Sequence, residues 1–158
     1  MDTGKIKQRL NRHRKMVEDC EALRRELDFA IEKYGAVGGA GLDAIPSGSR
    51  TTGNGKIERQ VIRKIELEER LSERELEVAA DWRELEPLVN RLEPMEGLVI
   101  RLRYYYAAEW SDVCKNLYGK RDSFEDEAEA YKNRMFIMHG RALLSLAKLA
   151  EEKREISE

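Results

Sequence analysis

Apolar residues recur with helical spacing along most of the chain and divide it into a series of predicted helices. In the first predicted helix, over residues 6–34, one set of residues recurs every seven positions. A second set lies three positions after the middle members of the first. The seven-residue positions are Ile6, His13, Cys20, Leu27 and Tyr34, and the second set is Met16, Leu23 and Ala30. This heptad pattern predicts a long helix that buries one seam against a partner helix.

A second long helix is predicted over residues 57–85, after a segment of different composition. Residues 35–55 are rich in Gly, Ala, Ser and Thr, with Asp43 and Arg50 as the charges. Such a segment buries too little apolar surface to offset its ordering entropy, so we expect a flexible loop. Apolar spacing then returns at Ile57, Val61, Ile65, Leu71, Val78, Trp82 and Leu85. The loop allows the two helices to form an antiparallel, coiled-coil-like hairpin; pairing between chains is the competing arrangement.

Two prolines mark a predicted domain boundary near residue 86. Proline suits the first turn of a helix and disrupts a helix interior, so Pro87 and Pro94 predict helix starts. The predicted later helices cover residues 87–92, 94–105, 111–118 with Ser111 as N-cap, and a last helix capped by Ser123 that runs through residue 150. The fold class is therefore predicted as all-α, with a long helical hairpin arm over 1–86, a helical domain over 87–150 and a charged tail over 151–158.

The last predicted helix is distinguished by its charge. Charged residues make up 38% of the chain and its net charge is −2, yet residues 130–150 contain no Asp or Glu. The cations in this stretch are Lys132, Arg134, Arg141 and Lys148. Because a duplex meets local charge and not the average of the whole chain, this bias favours contact with DNA phosphates. The alternative is an ordinary solvated helix face.

Three motifs in the C-terminal half carry a family resemblance. They are Leu92-x-Pro94 followed by Val99-Ile100-x-Leu102-Arg103-Tyr104, then Trp110-Ser111-x-Val113, and finally His139-Gly140-Arg141-Ala142-Leu143-x-x-Leu146. Together they resemble the helix-turn-helix region with which sigma factors bind the −35 promoter element. They are more closely similar to sigma-like regulators encoded by phages and prophages of Gram-positive bacteria, of the RinA and ArpU types. The resemblance covers roughly residues 87–150, and the segment 118–129 is longer and more acidic than the tight turn of sigma factors.

The resemblance implies a DNA-binding transcriptional regulator, a phage late-gene activator that recognises a promoter and recruits RNA polymerase. The candidate DNA contacts are Lys132, Asn133, Arg134 and Arg141 on the last helix, with Lys120 and Arg121 holding the backbone at the turn. Asparagine can pair with adenine, and arginine with guanine or phosphate. Near the start of the last predicted helix lie four acidic residues, Glu125, Asp126, Glu127 and Glu129. They are expected to offset the helix dipole; contact with polymerase or another basic protein surface is the alternative.

Other classes of function find little support in the sequence. No His or Cys pair has metal-ligand spacing, and no nucleophile, base and orienting acid recur in a recognisable pattern. We therefore expect no metal, no cofactor and no enzymatic activity. No apolar run reaches bilayer length and the first residues lack a signal-peptide core, so we expect a cytoplasmic protein without membrane contact.

The expected partners are double-stranded DNA, RNA polymerase and a second copy bound through the N-terminal helices. Two alternative functions remain open from the sequence. One is a phage DNA-packaging protein like a small terminase subunit, which also joins a helix-turn-helix to a helical oligomerisation arm. The other is a helical protein-interaction module.

Overall fold

The computed structural model describes residues 2–35 and 53–157, which form five helices. Helix α1 spans Thr3–Ala30 and ends in one π-helical turn, Ile31–Gly35. The others are α2 at Gly53–Val89, α3 at Pro94–Ile100 with a π-helical turn at Arg101–Tyr105, α4 at Trp110–Tyr118 and α5 at Ala128–Ser157. Of this part of the chain, 87% is helical and no strand forms, so the predicted all-α class is confirmed.

Several predicted boundaries differ from those of the structure. Pro87 lies inside α2, which continues to Val89, so the separate helix predicted over 87–92 is wrong. Residues 151–157, predicted as a charged tail, continue α5. Gly35 ends the turn after α1, and residues 53–55 begin α2. The rest of the predicted loop, residues 36–52, lies outside the described residues.

The chain divides into two compact units. The first unit comprises Met1–Val17 and Val78–Glu158, and the second unit is Glu18–Glu77. The start of α1 and the end of α2 belong to the first unit, where they pack with the later helices.

The first unit contains two apolar clusters that share helix α3. One cluster joins α1, α2, α3 and α5 through Ile6, Leu10, Trp82, Leu85, Val89, Ile100, Tyr104, Ala142, Leu143, Leu146, Ala147 and Ala150. The other joins α3, α4 and α5 through Val99, Val113, Cys114, Tyr118, Tyr131 and Met135. The adjacent residues Val99 and Ile100 are both fully buried, one in each cluster. Helix α3 therefore fixes α5 against both the N-terminal helices and α4.

A buried polar group also connects α1 and α2 within the first unit. His13 is fully buried, and its Nδ1 lies 2.7 Å from Asp81 Oδ2. The guanidinium of Arg9 donates to both Asp81 carboxylate oxygens at 2.9 and 2.7 Å. Burial opposes the charged carboxylate, but the hydrogen bonds from Arg9 and His13 outweigh it and lower the pKa of Asp81.

The second unit consists of the adjoining parts of α1 and α2. Its buried apolar residues are Cys20 and Leu27 on α1 with Leu67 and Leu71 on α2. Ion pairs Arg24–Glu75 and Arg63–Glu26, both 2.7 Å, join the two helices outside this seam. The heptad positions predicted on α1 at Ile6, His13, Cys20 and Leu27 are all buried, as expected from their spacing.

The prediction for α2 is partly wrong. Val61 and Ile65, expected in the seam, are exposed, as is Ile62. Leu67 fills the seam instead.

Among the described residues, no helix combines the length and apolar character required to cross a membrane.

Candidate nucleic-acid interface

Helices α4 and α5 form the part of the first unit that was predicted to bind DNA. Helix α4 buries Val113, Cys114 and Tyr118 against Tyr131 and Met135 of α5. Between α3 and α4 the chain passes through Ala107, a non-glycine residue with φ 55°, in the left-handed region. Glu109, and not the predicted Ser111, occupies the N-cap position, in extended conformation.

The connection between α4 and α5 is a series of tight turns. Backbone hydrogen bonds link Arg121 N to Tyr118 O and Phe124 N to Arg121 O, both at 3.0 Å. The predicted cap at Ser123 is wrong, because α5 begins five residues later at Ala128. The Ser123 hydroxyl instead lies 2.6 Å from the phenol oxygen of Tyr131, which ties the connection to the first turn of α5.

Tyr131 is the centre of an aromatic cluster that brings two predicted site residues together. Its ring stacks on Tyr118 at 5.0 Å between centroids. The Arg121 guanidinium lies 5.8 Å from the Tyr131 ring centre, and that of Arg134 lies 5.3 Å from it. Both arginines are exposed, so their charges remain accessible while cation–π contacts restrict their positions.

Lys132 lies on the side of α5 that faces α4. It lines a cavity of about 320 Å³ together with Trp110, Ser111, Cys114, Lys115, Phe124, Ala128, Glu129 and Met135. Lys115 is therefore a neighbouring cation that the sequence analysis did not select. The sequence signal that could have identified it was a lysine within the predicted helix 111–118, next to the predicted buried residues of the motif.

Arg134 and Arg141 lie on another side of α5, where they line one groove. The other residues of this groove are Glu93, Met95 and Glu96 from the start of α3, with Tyr118, Ile137 and Met138. Two carboxylates thus share the groove with the two arginines. This mixed charge should weaken the attraction of Arg134 and Arg141 for a polyanion.

The remaining predicted contacts are Asn133 and Lys120. Asn133 is exposed on α5 between Lys132 and Arg134, and Lys120 is exposed at the turn after α4. The structure therefore places all six predicted residues at the surface of one unit but distributes them around α5. Two of the six residues lie at the turn after α4, one lies on the side of α5 that faces α4, and two lie on the side near α3. Asn133 lies on the exposed face between these two sides.

The acidic residues near the start of α5 are exposed. Glu125, Asp126 and Glu127 precede the helix, and Glu129 lies in its first turn. Carboxylates at this end interact favourably with the helix dipole. Their position ahead of the helix keeps three of the four off the face that carries Asn133.

Both histidines are buried in the interior of the first unit. The phenol oxygen of Tyr104 lies 2.7 Å from His139 Nε2, and both side chains are buried. Burial, with smaller effects of Lys7 and Arg103, lowers the pKa of His139 to about 4, and burial raises the pKa of Tyr104 to about 12. In the part of the chain that the structure covers, no group of His, Cys, Asp and Glu side chains could hold a metal ion.

Comparison of the chain with protein-family models, curated proteins and solved structures finds no match.

Proposed function

We propose that the protein is a DNA-binding regulator of transcription, with α4 and α5 as its helix-turn-helix and the paired α1 and α2 as a helical hairpin arm. The observation that carries this proposal is the arrangement of Lys132, Asn133 and Arg134 on α5. Successive residues of an α-helix are rotated by about 100° about its axis. Asn133 therefore lies between two cations that point to opposite flanks of the helix.

This arrangement matches what a helix meets in the major groove. Base edges lie in front of such a helix, and a phosphate backbone runs along either side. Asn133 would face an adenine, which an asparagine amide can bind through two hydrogen bonds. Lys132 on the α4 side and Arg134 on the α3 side would each neutralise phosphates of one strand. Lys115, Lys120 and Arg121 extend the cationic surface beyond α5.

The sequence resemblance to sigma-like phage regulators supports the role in transcription. In this proposal the DNA-binding face positions the protein at a promoter, and the exposed acidic residues 125–127 contact RNA polymerase. Because these carboxylates lie before α5, they can engage a basic protein surface without entering the groove.

Binding to random-sequence duplex at several salt concentrations tests the proposal. Lys132→Ala combined with Arg134→Ala should weaken binding and reduce the slope of log affinity against log salt by about two, about one for each lost phosphate contact. Arg83→Ala is the matched control, since it removes an exposed cation on α2 of the same unit. A double variant with the affinity and slope of the control would overturn the assignment.

A second candidate function, DNA packaging in the manner of a small terminase subunit, is favoured by the second unit. Val61, Ile62 and Ile65 of α2 are exposed outside its seam. Their burial between copies would stabilise an oligomer, as packaging rings require. Sedimentation analysis separates the candidates: a ring-sized assembly that Ile62→Lys dissociates would favour packaging, and a monomer or dimer would favour the regulator.

A further inference from the structure

The exposed face of α5 carries apolar side chains in line with Asn133. Ile137, Gly140 and Leu144 follow Asn133 at intervals of four, three and four residues, which places all four along one line of the helix. Ile137 is 58% exposed and Leu144 is 55% exposed. A Cβ added at Gly140 would meet nothing within 4 Å. This line, Asn133–Ile137–Gly140–Leu144, is called the α5 midline below.

Cations border the α5 midline along one flank. Arg134, Arg141 and Lys148 recur every seven residues, so they follow the same direction as the midline. Lys132 lies on the opposite flank at the start of the helix. The surface therefore combines branched aliphatic groups at its centre with cations along one edge, where Glu93 and Glu96 share the groove, and with Lys132 at the start of the other edge. Apolar groups between negative charges would complement it.

The DNA major groove offers this combination. Thymine presents its C5-methyl group there, and the groove is bordered by two phosphate backbones. The midline spans residues 133–144, and its eleven steps of about 1.5 Å extend over roughly 16 Å. That length corresponds to about five base-pair steps of 3.4 Å. Gly140, without a side chain, allows the helix backbone to approach the base edges between Ile137 and Leu144.

A second copy of the chain fits this surface less well. Packing one α5 midline on another would bring Arg134, Arg141 and Lys148 of both copies together, and Glu93 and Glu96 beside Arg134 and Arg141 would offset this repulsion only in part. Like charges at such distances are destabilising. A duplex instead supplies negative charge on both flanks.

We propose that the α5 midline reads A·T base pairs in the major groove, with Ile137 and Leu144 packed on thymine methyl groups and Asn133 paired with adenine. This inference rests on the proposed function and adds its substrate class: duplexes with at least two thymines within about five base pairs. Contact with a methyl group distinguishes thymine from uracil and from cytosine, so the specificity lies in groups that carry no charge.

Replacement of thymine by deoxyuridine tests the inference, because it removes only the methyl group. The preferred duplex is first selected from a random library with the wild-type protein. Each contacted thymine replaced by deoxyuridine should then weaken wild-type binding about three- to fivefold, as expected for a buried methyl-sized group. Ile137→Ala and Leu144→Ala should each lose the response to one of these replacements and keep the response to the other.

Ile65→Ala provides the matched control, since Ile65 is an exposed aliphatic residue of the second unit. That variant should respond to deoxyuridine as the wild type does. Circular dichroism should show native helix content in all variants, because the substituted side chains are exposed.

The outcomes are distinct. Selected duplexes that bind equally well with thymine and deoxyuridine overturn the inference and leave the proposed function standing. Failure to bind any duplex at low salt overturns both. A synthetic amphipathic helix with leucine and glutamate faces serves as the competing probe. If it binds in a manner that Ile137→Ala abolishes while DNA affinity is unchanged, the occupant is a protein and the inference is wrong.

Discussion

The phenol of Tyr104 and the imidazole of His139 form a buried hydrogen-bonded pair, 2.7 Å apart, between the turn that ends α3 and the middle of α5. Protonation of His139 would place a charge where there is little water to solvate it. Burial therefore lowers its pKa from 6.5 to about 4, and the imidazole remains neutral at neutral pH. The pair connects the turn that ends α3 to α5 through one hydrogen bond.

Stability should fall with pH below about 6.5 because of His139. A histidine whose folded pKa is below its unfolded value binds a proton more tightly when unfolded. Its contribution is thus complete above pH 6.5 and is lost as the pH falls toward 4. The loss should reach about 2 kcal/mol at pH 5, given about 1.4 kcal/mol per pKa unit.

Urea unfolding at pH 7 and pH 5 measures this effect against His139→Gln, which cannot titrate in this range. The difference in unfolding free energy between the two pH values should be about 2 kcal/mol larger for the wild type. Equal differences for the two proteins would show that another group is responsible.

Asp81→Ala should destabilise the first unit by about 3 kcal/mol, because it leaves the buried His13 and the half-buried Arg9 without their shared acceptor. Glu84→Ala is the control: Glu84 also contacts Arg9, at 3.3 Å, but its side chain is 77% exposed. An exposed pair of this kind contributes at most about 1 kcal/mol. Thermal and urea unfolding should separate the two variants, and similar losses would argue against a special role for Asp81.

Leu67→Ala and Ile65→Ala should differ strongly although the residues are two positions apart on α2. Leu67 is 1% exposed in the second unit, so its truncation should reduce stability by about 2–4 kcal/mol. Ile65 is 47% exposed, and its truncation should change stability by less than about 1 kcal/mol. Far-UV circular dichroism during urea unfolding measures both. The reverse order would restore the predicted seam through Ile65.

Glu93→Gln with Glu96→Gln should strengthen non-specific DNA binding by about two- to fivefold at low salt. Both residues share a groove with Arg134 and Arg141, and a charge about 10 Å from a phosphate in water contributes roughly 0.4 kcal/mol. The effect should decline at high salt as screening increases. Glu86→Gln, an exposed acid on α2, is the control. Equal affinities for the two variants would place the groove outside the DNA contact.

The buried seam of α1 could be predicted from the sequence, whereas that of α2 could not. The seam of α1 was predictable because its positions recur every seven residues without a competing apolar face. Helix α2 has apolar residues on two faces, Ile62 and Ile65 on one and Leu67 and Leu71 on the other. Periodicity alone cannot decide which face meets a partner, because the choice depends on tertiary packing.

Local capping signals failed for a related reason. Ser123 has the sequence context of a helix cap, but its hydroxyl is engaged by Tyr131, eight residues later. Pro87 suggested a helix start, yet it lies near the end of α2, at an exposed position where the lost hydrogen bond removes little stability. For the candidate site, composition identified the cations, but only the packing of α5 showed which neighbouring helix each of them faces.

The two cysteines give the chain a built-in means of observing its units separately. Cys20 belongs to the second unit and Cys114 to the first, and both are buried free thiols. Burial raises the pKa of both thiols, so each reacts slowly until its surroundings open. The labelling rate of each thiol, measured by mass spectrometry on one sample of the wild-type protein, therefore reports local opening of the unit that contains it. Comparison of the two rates with and without a ligand would show which unit the ligand stabilises.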